Sequence, residues 1–188
     1  MDTKYIYLIF TKTGTWLSRF ISTFSDMKYV HSSISFDNSF KKMYSFGRTN
    51  PNNPFSGGFV EEDLQGGVYQ KFSQTQCLIY KVKVSSEQYA SLQKQLKRFQ
   101  NEPENYHYSI LGLMGVKIGV PIQRKNHYFC SQFVSELLIN SNLYDQSKNP
   151  ALVVPEDLFD VEDMEFIYEG HANLYPGMIN IPLPTLAN

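Results

Sequence analysis

Runs and spacings of apolar residues divide this chain into strands and helices. Tyr5 to Phe10 is an unbroken apolar stretch of strand length and reads as a buried first strand. After Thr13-Gly14-Thr15, Trp16, Leu17, Phe20, Ile21 and Phe24 recur at helical spacing, with Thr13 or Thr15 as cap. Tyr29–Phe36 and Phe40–Phe46 read as two strands joined through the turn residues Asp37, Asn38 and Ser39, a hairpin. From Gly47 to Gly67 the composition turns to Gly, Pro and Asn with Phe55 and Phe59 embedded, which predicts a long ordered loop. Cys77–Val84 is strand-like. Ser85 and Gln88 form a capping-box pattern ahead of Tyr89, Leu92, Leu96 and Phe99, a helical stripe that ends near Pro103. Tyr108–Val116 predicts a short helix broken by Gly119-Val120-Pro121. Phe133, Val134, Leu137 and Leu138 stripe the next helix, which Cys130 opens. Pro155 with Glu156 and Asp157 marks another helix start. Glu165–Glu169 predicts a last strand, and Pro176–Asn188 an extended tail. No repeat or linker interrupts the pattern, so the expectation is one α+β domain over residues 1–188.

Charge and composition narrow the function classes. The formal net charge is −1, with no basic run of the kind that tracks phosphates, so no nucleic-acid partner is expected. The Tyr5–Phe10 stretch is too short for a signal segment or an integral membrane span, which predicts a cytoplasmic protein. Cys77 and Cys130 are a poor disulfide framework. No Cys or His pairs stand at ligand spacing, so no metal or other cofactor is expected. Nothing in the pattern fixes an oligomeric state.

Cys130 carries the chemistry. It lies one turn before Phe133 and Val134, at the open end of an amphipathic helix, where unpaired N–H groups favour a thiolate. Free cysteine is also among the most buried residue types, and a small core hydrophobe is the plainer reading of a lone Cys. A thiol nucleophile needs a base, and four histidines are available. His107, His127 and His171 sit in loops or polar stretches. His31 sits on the second strand and shares the Ser33/Ser35 face, opposite Ile34 and Phe36, and a strand holds a base rigidly. Cys77, mid-strand among apolar residues, reads as core.

The order of His on an early strand, a paired strand, a helix and then Cys at a helix start resembles the circularly permuted branch of the NlpC-type papain-like cysteine amidases. That branch includes YiiX/YaeF-type bacterial proteins and the lecithin–retinol acyltransferase-like group. The resemblance is carried by Val30-His31-Ser32-Ser33-Ile34-Ser35-Phe36-Asp37, Met43-Tyr44-Ser45-Phe46-Gly47-Arg48, Phe129-Cys130-Ser131-Gln132-Phe133-Val134 and Pro155-Glu156-Asp157-Leu158, across Tyr5 to Gly170. It implies a papain-like fold, an antiparallel sheet packed against helices with the nucleophile at a helix N-terminus. It also implies Cys130 as nucleophile and His31 as general base. The group that orients the imidazole would lie on the strand paired with the His strand. In a hairpin centred on Asn38 that position is Ser45, with Glu61, Glu62 or a backbone carbonyl as alternatives. The Cys130 N–H would contribute to an oxyanion hole, with Tyr108 or Tyr128 adding a hydroxyl and Arg48 meeting a substrate carboxylate. The activity so implied is cysteine amidase or peptidase chemistry on a small peptide or amino-acid amide of cell-wall type, through an acyl-enzyme. The alternatives are a lipid-acting thiol acyltransferase or hydrolase, which would need an exposed apolar patch near the site, and a catalytically silent binding module of the same fold.

Overall fold

The structure, a computed structural model, describes residues 3–13, 27–50, 56–145 and 147–178. The expected helix from Trp16 to Phe24 and the tail beyond Met178 lie outside them. Eight strands form one sheet: β1 (Lys4–Lys12), β2 (His31–Ser35), β3 (Met43–Arg48), β4 (Gly57–Glu62), β5 (Gln76–Val84), β6 (His107–Tyr108), β7 (His127–Tyr128) and β8 (Met164–His171). Their order across the sheet is β7-β6-β4-β3-β2-β1-β5-β8, antiparallel throughout except for the β6–β7 pair. The helices are α1 (Gly67–Lys71), α2 (Ser86–Asn101), α3 (Ile110–Ile118) and α4 (Cys130–Ile139). This is a mixed α and β architecture, an eight-stranded sheet packed against helices, consistent with the α+β expectation.

Side chains alternate across a strand, so each strand feeds two cores. On one face Ile6, Leu8, Phe10, Ile34, Phe46, Phe59 and Leu78 pack against Leu92, Leu96 and Phe99 of α2 and Phe133, Val134, Leu137 and Leu138 of α4. On the other, Ile9, Met43, Cys77 and Ile79 pack against Phe40, Leu64, Tyr69, Ala172 and Tyr175. β2 and β3 are covered on both faces, which buries their serines. Ser33, Ser35 and Ser45 each donate to a partner, to Glu62, to the carbonyls of Asp37 and Lys42, and to the Ser32 carbonyl respectively. The capping box at α2 forms as its sequence predicts, Ser85 with Gln88.

Three elements differ from expectation. The stretch expected to be a long loop contains β4. Its glycines are there for close approach: a Cβ on Gly57 would lie 2.7 Å from Tyr108 Cβ, and one on Gly58 2.5 Å from the Tyr106 carbonyl oxygen. The helix expected to start at Pro155 does start there, with Glu156 and Asp157 in its first turn, but it is a short 3-10 helix over Pro155–Asp160, held by the Asp157 carboxylate on the Val154 N–H and Lys148. The hairpin register is shifted as well. Ile34 pairs with Tyr44 and Ser35 with Met43, so the register continued by three residues sets Gly47 across from His31, and Ser45 across from Ser33. The turn accommodates buried Phe40 at a φ of 51°, which moves its centre one residue beyond Asn38 and the register by two.

Candidate active site

The site lies where β2 and β3 part. Their pairing ends at Ile34 and Tyr44, and beyond it the Ser45 hydroxyl, rather than a strand partner, donates to the Ser32 carbonyl at 2.6 Å. The Ser32 N–H points at the Cys130 thiol, delivered by α4 from the helical face. α4 begins after Phe129, whose side chain makes no cap hydrogen bond, so the first-turn N–H groups are not taken up by a capping side chain. The N–H of Ser131 also turns to the thiol. The Ser131 hydroxyl donates to the Val153 carbonyl at 2.7 Å and pins this end of the helix.

His31 opens β2, and its ring and the Cys130 thiol interact closely enough to shift each other's charge. Its Nε2 lies 3.0 Å from Glu62 Oε1 and 3.2 Å from Oε2, which leaves Nδ1 for the thiol. Both side chains are largely buried, 19% exposed for His31 and 15% for Glu62. Glu62 ends β4, on the same face of the sheet. Its Oε2 also accepts from Ser33 Oγ at 2.7 Å and from Tyr69 OH at 3.2 Å, and Tyr69 OH stands 3.5 Å from Thr11 Oγ1. The order is Cys130, His31, Glu62: the ring couples to the thiol on one side and hydrogen-bonds the carboxylate on the other, with Ser33 and Tyr69 fixing that carboxylate from behind.

The electrostatics follow from this order. Burial works against the charged imidazole, but the Glu62 carboxylate and the hydrogen bonds to Cys130 and Glu62 outweigh it and hold the His31 pKa well above its ordinary value. Burial pushes the Cys130 thiol up, while His31 and the Ser32 and Ser131 N–H groups pull it further down, so the net shift is downward. Burial likewise opposes a charged Glu62, yet His31, Ser33 and Tyr69 keep it ionised below the usual range. The arrangement favours a thiolate–imidazolium pair backed by a carboxylate.

Of the residues the sequence singled out, Cys130 and His31 meet. Ser45 does not join them: it is fully buried, its hydroxyl is spent on the Ser32 carbonyl, and Glu62 occupies the orienting position. The shifted turn centre explains the correction. Glu61, the other acid considered, points away to Lys42 at 3.7 Å. Tyr108 stands near the thiol, and burial and the Cys130 charge both raise its pKa, so its hydroxyl stays a donor. Tyr128 belongs to an aromatic cluster with Phe46, Phe99 and Tyr106. Arg48 lies over the Phe72 ring, 5.8 Å from its centroid, and makes no ion pair among the described residues. Glu62 had one signal in the sequence, the short run Phe59-Val60 followed by the paired acids Glu61-Glu62 directly after two glycines, masked by the loop-like composition around it.

No family profile matches the chain, and no curated protein matches it in sequence. Among solved structures it is similar to a protein described as the metalloprotein YiiX from Escherichia coli O157:H7, with a TM-score of 0.53 and 16% identity over 90% of this chain and 98% of that one. At that identity the likeness speaks to the fold. Among the described residues no helix is long and apolar enough to cross a membrane.

Proposed function

We propose that this chain is a thiol hydrolase of the permuted NlpC-type papain-like group, acting on an amide bond in a small peptide or amino-acid amide. One observation carries the reading: the buried order Cys130–His31–Glu62, with backbone N–H groups on the thiol. The likeness in fold to YiiX supports the group. The Cys130 thiolate adds to the substrate carbonyl carbon, and the oxyanion falls to the Cys130 N–H at the start of α4, with the Tyr108 hydroxyl beside it. The C–N bond breaks as His31 gives its proton to the leaving amine, leaving a thioester on Cys130. His31 then takes a proton from water, whose oxygen attacks the thioester and releases the acid and the thiolate. Glu62 stays ionised and orients the ring throughout.

YiiX is named as a metalloprotein. Among the described residues of this chain no group of three or more His, Cys, Asp and Glu side chains could hold a metal ion, and the Glu62 oxygens are committed to His31, Ser33 and Tyr69. The donor set does not fit a metal centre.

A second reading, a lipid-acting thiol acyltransferase or hydrolase, is favoured by one observation, the exposed apolar side chains of α3 beside the site. The two are separated by offering the protein p-nitrophenyl esters of short and long acyl chains and a panel of aminoacyl and dipeptidyl amides. Intact mass then reads the adduct. The amide reading expects acylation at Cys130 by the amides, absent in Cys130→Ala. Acylation by long-chain esters alone would overturn it in favour of the lipid reading, and no adduct with any donor would remove both.

A further inference from the structure

Helix α3 is built inside out for a helix on a water-facing surface. Its buried positions are glycines, Gly112 and Gly115, and its large apolar side chains face solvent. A Cβ on Gly112 would lie 2.7 Å from Ser109 Oγ and 3.1 Å from the Phe129 ring, and one on Gly115 2.5 Å from the Val120 carbonyl oxygen. The backbone is drawn tight against the body of the protein, which turns the side chains outward. Ile110 is 54% exposed, Leu111 46%, Met114 55%, Ile118 67% and Val120 49%. Ile110, Met114 and Ile118 follow at every fourth position, so they form one stripe. A contiguous apolar patch of this kind marks a surface that meets something else.

The charge around the patch says what. From Asn105 to Ser135 the chain contains no Asp or Glu, while Lys117, Arg124 and Lys125 fall inside that stretch, in a protein whose net charge is −1. All three are exposed. An apolar helix face in a stretch of chain whose formal charges are all basic suits an anionic lipid surface, where the apolar side chains enter the acyl boundary and the cations meet phosphates. A second copy meeting this face on a two-fold axis would bring the same cations toward one another. The patch also adjoins the candidate nucleophile: Phe129, on which Gly112 rests, directly precedes Cys130, and Tyr108, near the thiol, stands just before the helix cap Ser109.

We infer that the outer face of α3 seats this protein on an anionic membrane surface, with Cys130 held beside the docked helix. The inference rests on α3 and its charge, not on the chemistry proposed for Cys130. It is tested by sedimenting the purified full chain with phosphatidylcholine vesicles, with and without about one third phosphatidylglycerol. The protein should sediment with the anionic vesicles, less so with the neutral ones, and less at about 0.5 M NaCl, where charges are screened. Leu111→Ser, Met114→Ser and Ile118→Ser combined should lower the bound-to-free ratio about tenfold or more, because each removes an apolar group from the lipid boundary. Arg124→Gln with Lys125→Gln should weaken binding to anionic vesicles alone, and tests the inference if the apolar variant fails to fold. Cys130→Ser should bind like the parent, which separates this result from the fate of the acyl-enzyme. Absence of sedimentation, or equal sedimentation of folded variants, would overturn the inference. So would a dimer in gel filtration that the apolar variant dissolves, which would give the face to a second copy.

Discussion

Cys77 and Cys130 are both unpaired thiols, 0% and 3% exposed, in one small protein. Cys77 is the second residue of β5, buried among Ile9, Ile79 and Tyr69, and burial pushes its pKa up to about 12. Cys130 feels the same burial, yet its pKa is lowered, because His31 and two backbone N–H groups face the sulfur. Burial alone therefore does not decide what a cysteine becomes. What decides is whether the surroundings supply positive charge and N–H donors. Cys77 lies on a strand whose backbone is committed to β1 and β8, whereas Cys130 lies at a helix start and beside strands that have parted.

The largest consequence is a split in reactivity. Iodoacetamide at neutral pH should label Cys130 in the folded protein and leave Cys77 unmodified until the chain is denatured, as peptide mass mapping would read. His31→Ala should remove most of that difference and cost about 10²–10⁴-fold in any turnover, the usual worth of a general base. Faster labelling of Cys77 than of Cys130 in the native state would reverse the comparison.

Glu62→Gln comes next. Without the carboxylate, His31 loses its strongest support for the charged ring, and the labelling rate of Cys130 at neutral pH should fall about tenfold or more, the size of one pKa unit. The pH dependence sharpens this. The Glu62 pKa is lower in the fold than its free value of 4.5, so its stabilisation is full above that value and is lost as the pH falls through the folded pKa. His31 has the opposite sign: its raised pKa stabilises fully below 6.5, and that contribution is lost as the pH rises through the folded value. The difference in Tm between the parent and Glu62→Gln should therefore narrow towards acid. A difference that widens there would break the assignment of Glu62 as the anion.

Much of this contrast was legible in the residues. Strand β5 declared Cys77 through its apolar neighbours, and the Phe133, Val134, Leu137 and Leu138 stripe placed Cys130 at a helix start. His31 could be put on the correct face because strand parity survives a two-residue register shift. The identity of its partner could not, because that depends on the turn centre, and buried Phe40 with its positive φ moves it. Glu62 was weighed but not chosen, since glycines that serve the close approach of β6 read as loop chemistry. The short strands β6 and β7, two residues each, carry no periodicity to detect. The glycine-lined inner face of α3 also has no counterpart in a stripe of apolar residues, which normally marks the side that is buried.

Ser45→Ala should act on the fold more than on the chemistry. It leaves the Ser32 carbonyl without its 2.6 Å donor at a buried position, at a cost of about 1–3 kcal/mol in thermal or denaturant unfolding. The Cys130 labelling rate should change far less than in Glu62→Gln, because the hydroxyl does not touch His31. A loss of labelling as large as that of Glu62→Gln, in a variant that stays folded, would mean that the parting of β2 and β3 sets the thiolate as much as the charges do.

The smallest effect belongs to Glu61, and its smallness is what makes it useful. Glu61 and Glu62 are adjacent, identical in chemistry and on the same strand, but alternation sends them to opposite faces. Glu62 is enclosed by three donors. Glu61 is 47% exposed and faces Lys42 at 3.7 Å, an exposed pair of a kind worth about 0–1 kcal/mol. Glu61→Gln should therefore leave the labelling rate of Cys130 and its pH profile unchanged, and shift stability by less than about 0.5 kcal/mol. Both variants remove one negative charge from the same strand, so a general change in the protein's field would affect them alike. If Glu61→Gln slowed labelling as much as Glu62→Gln, the carboxylate would be acting through the overall field of the protein, and the contact with His31 would explain nothing.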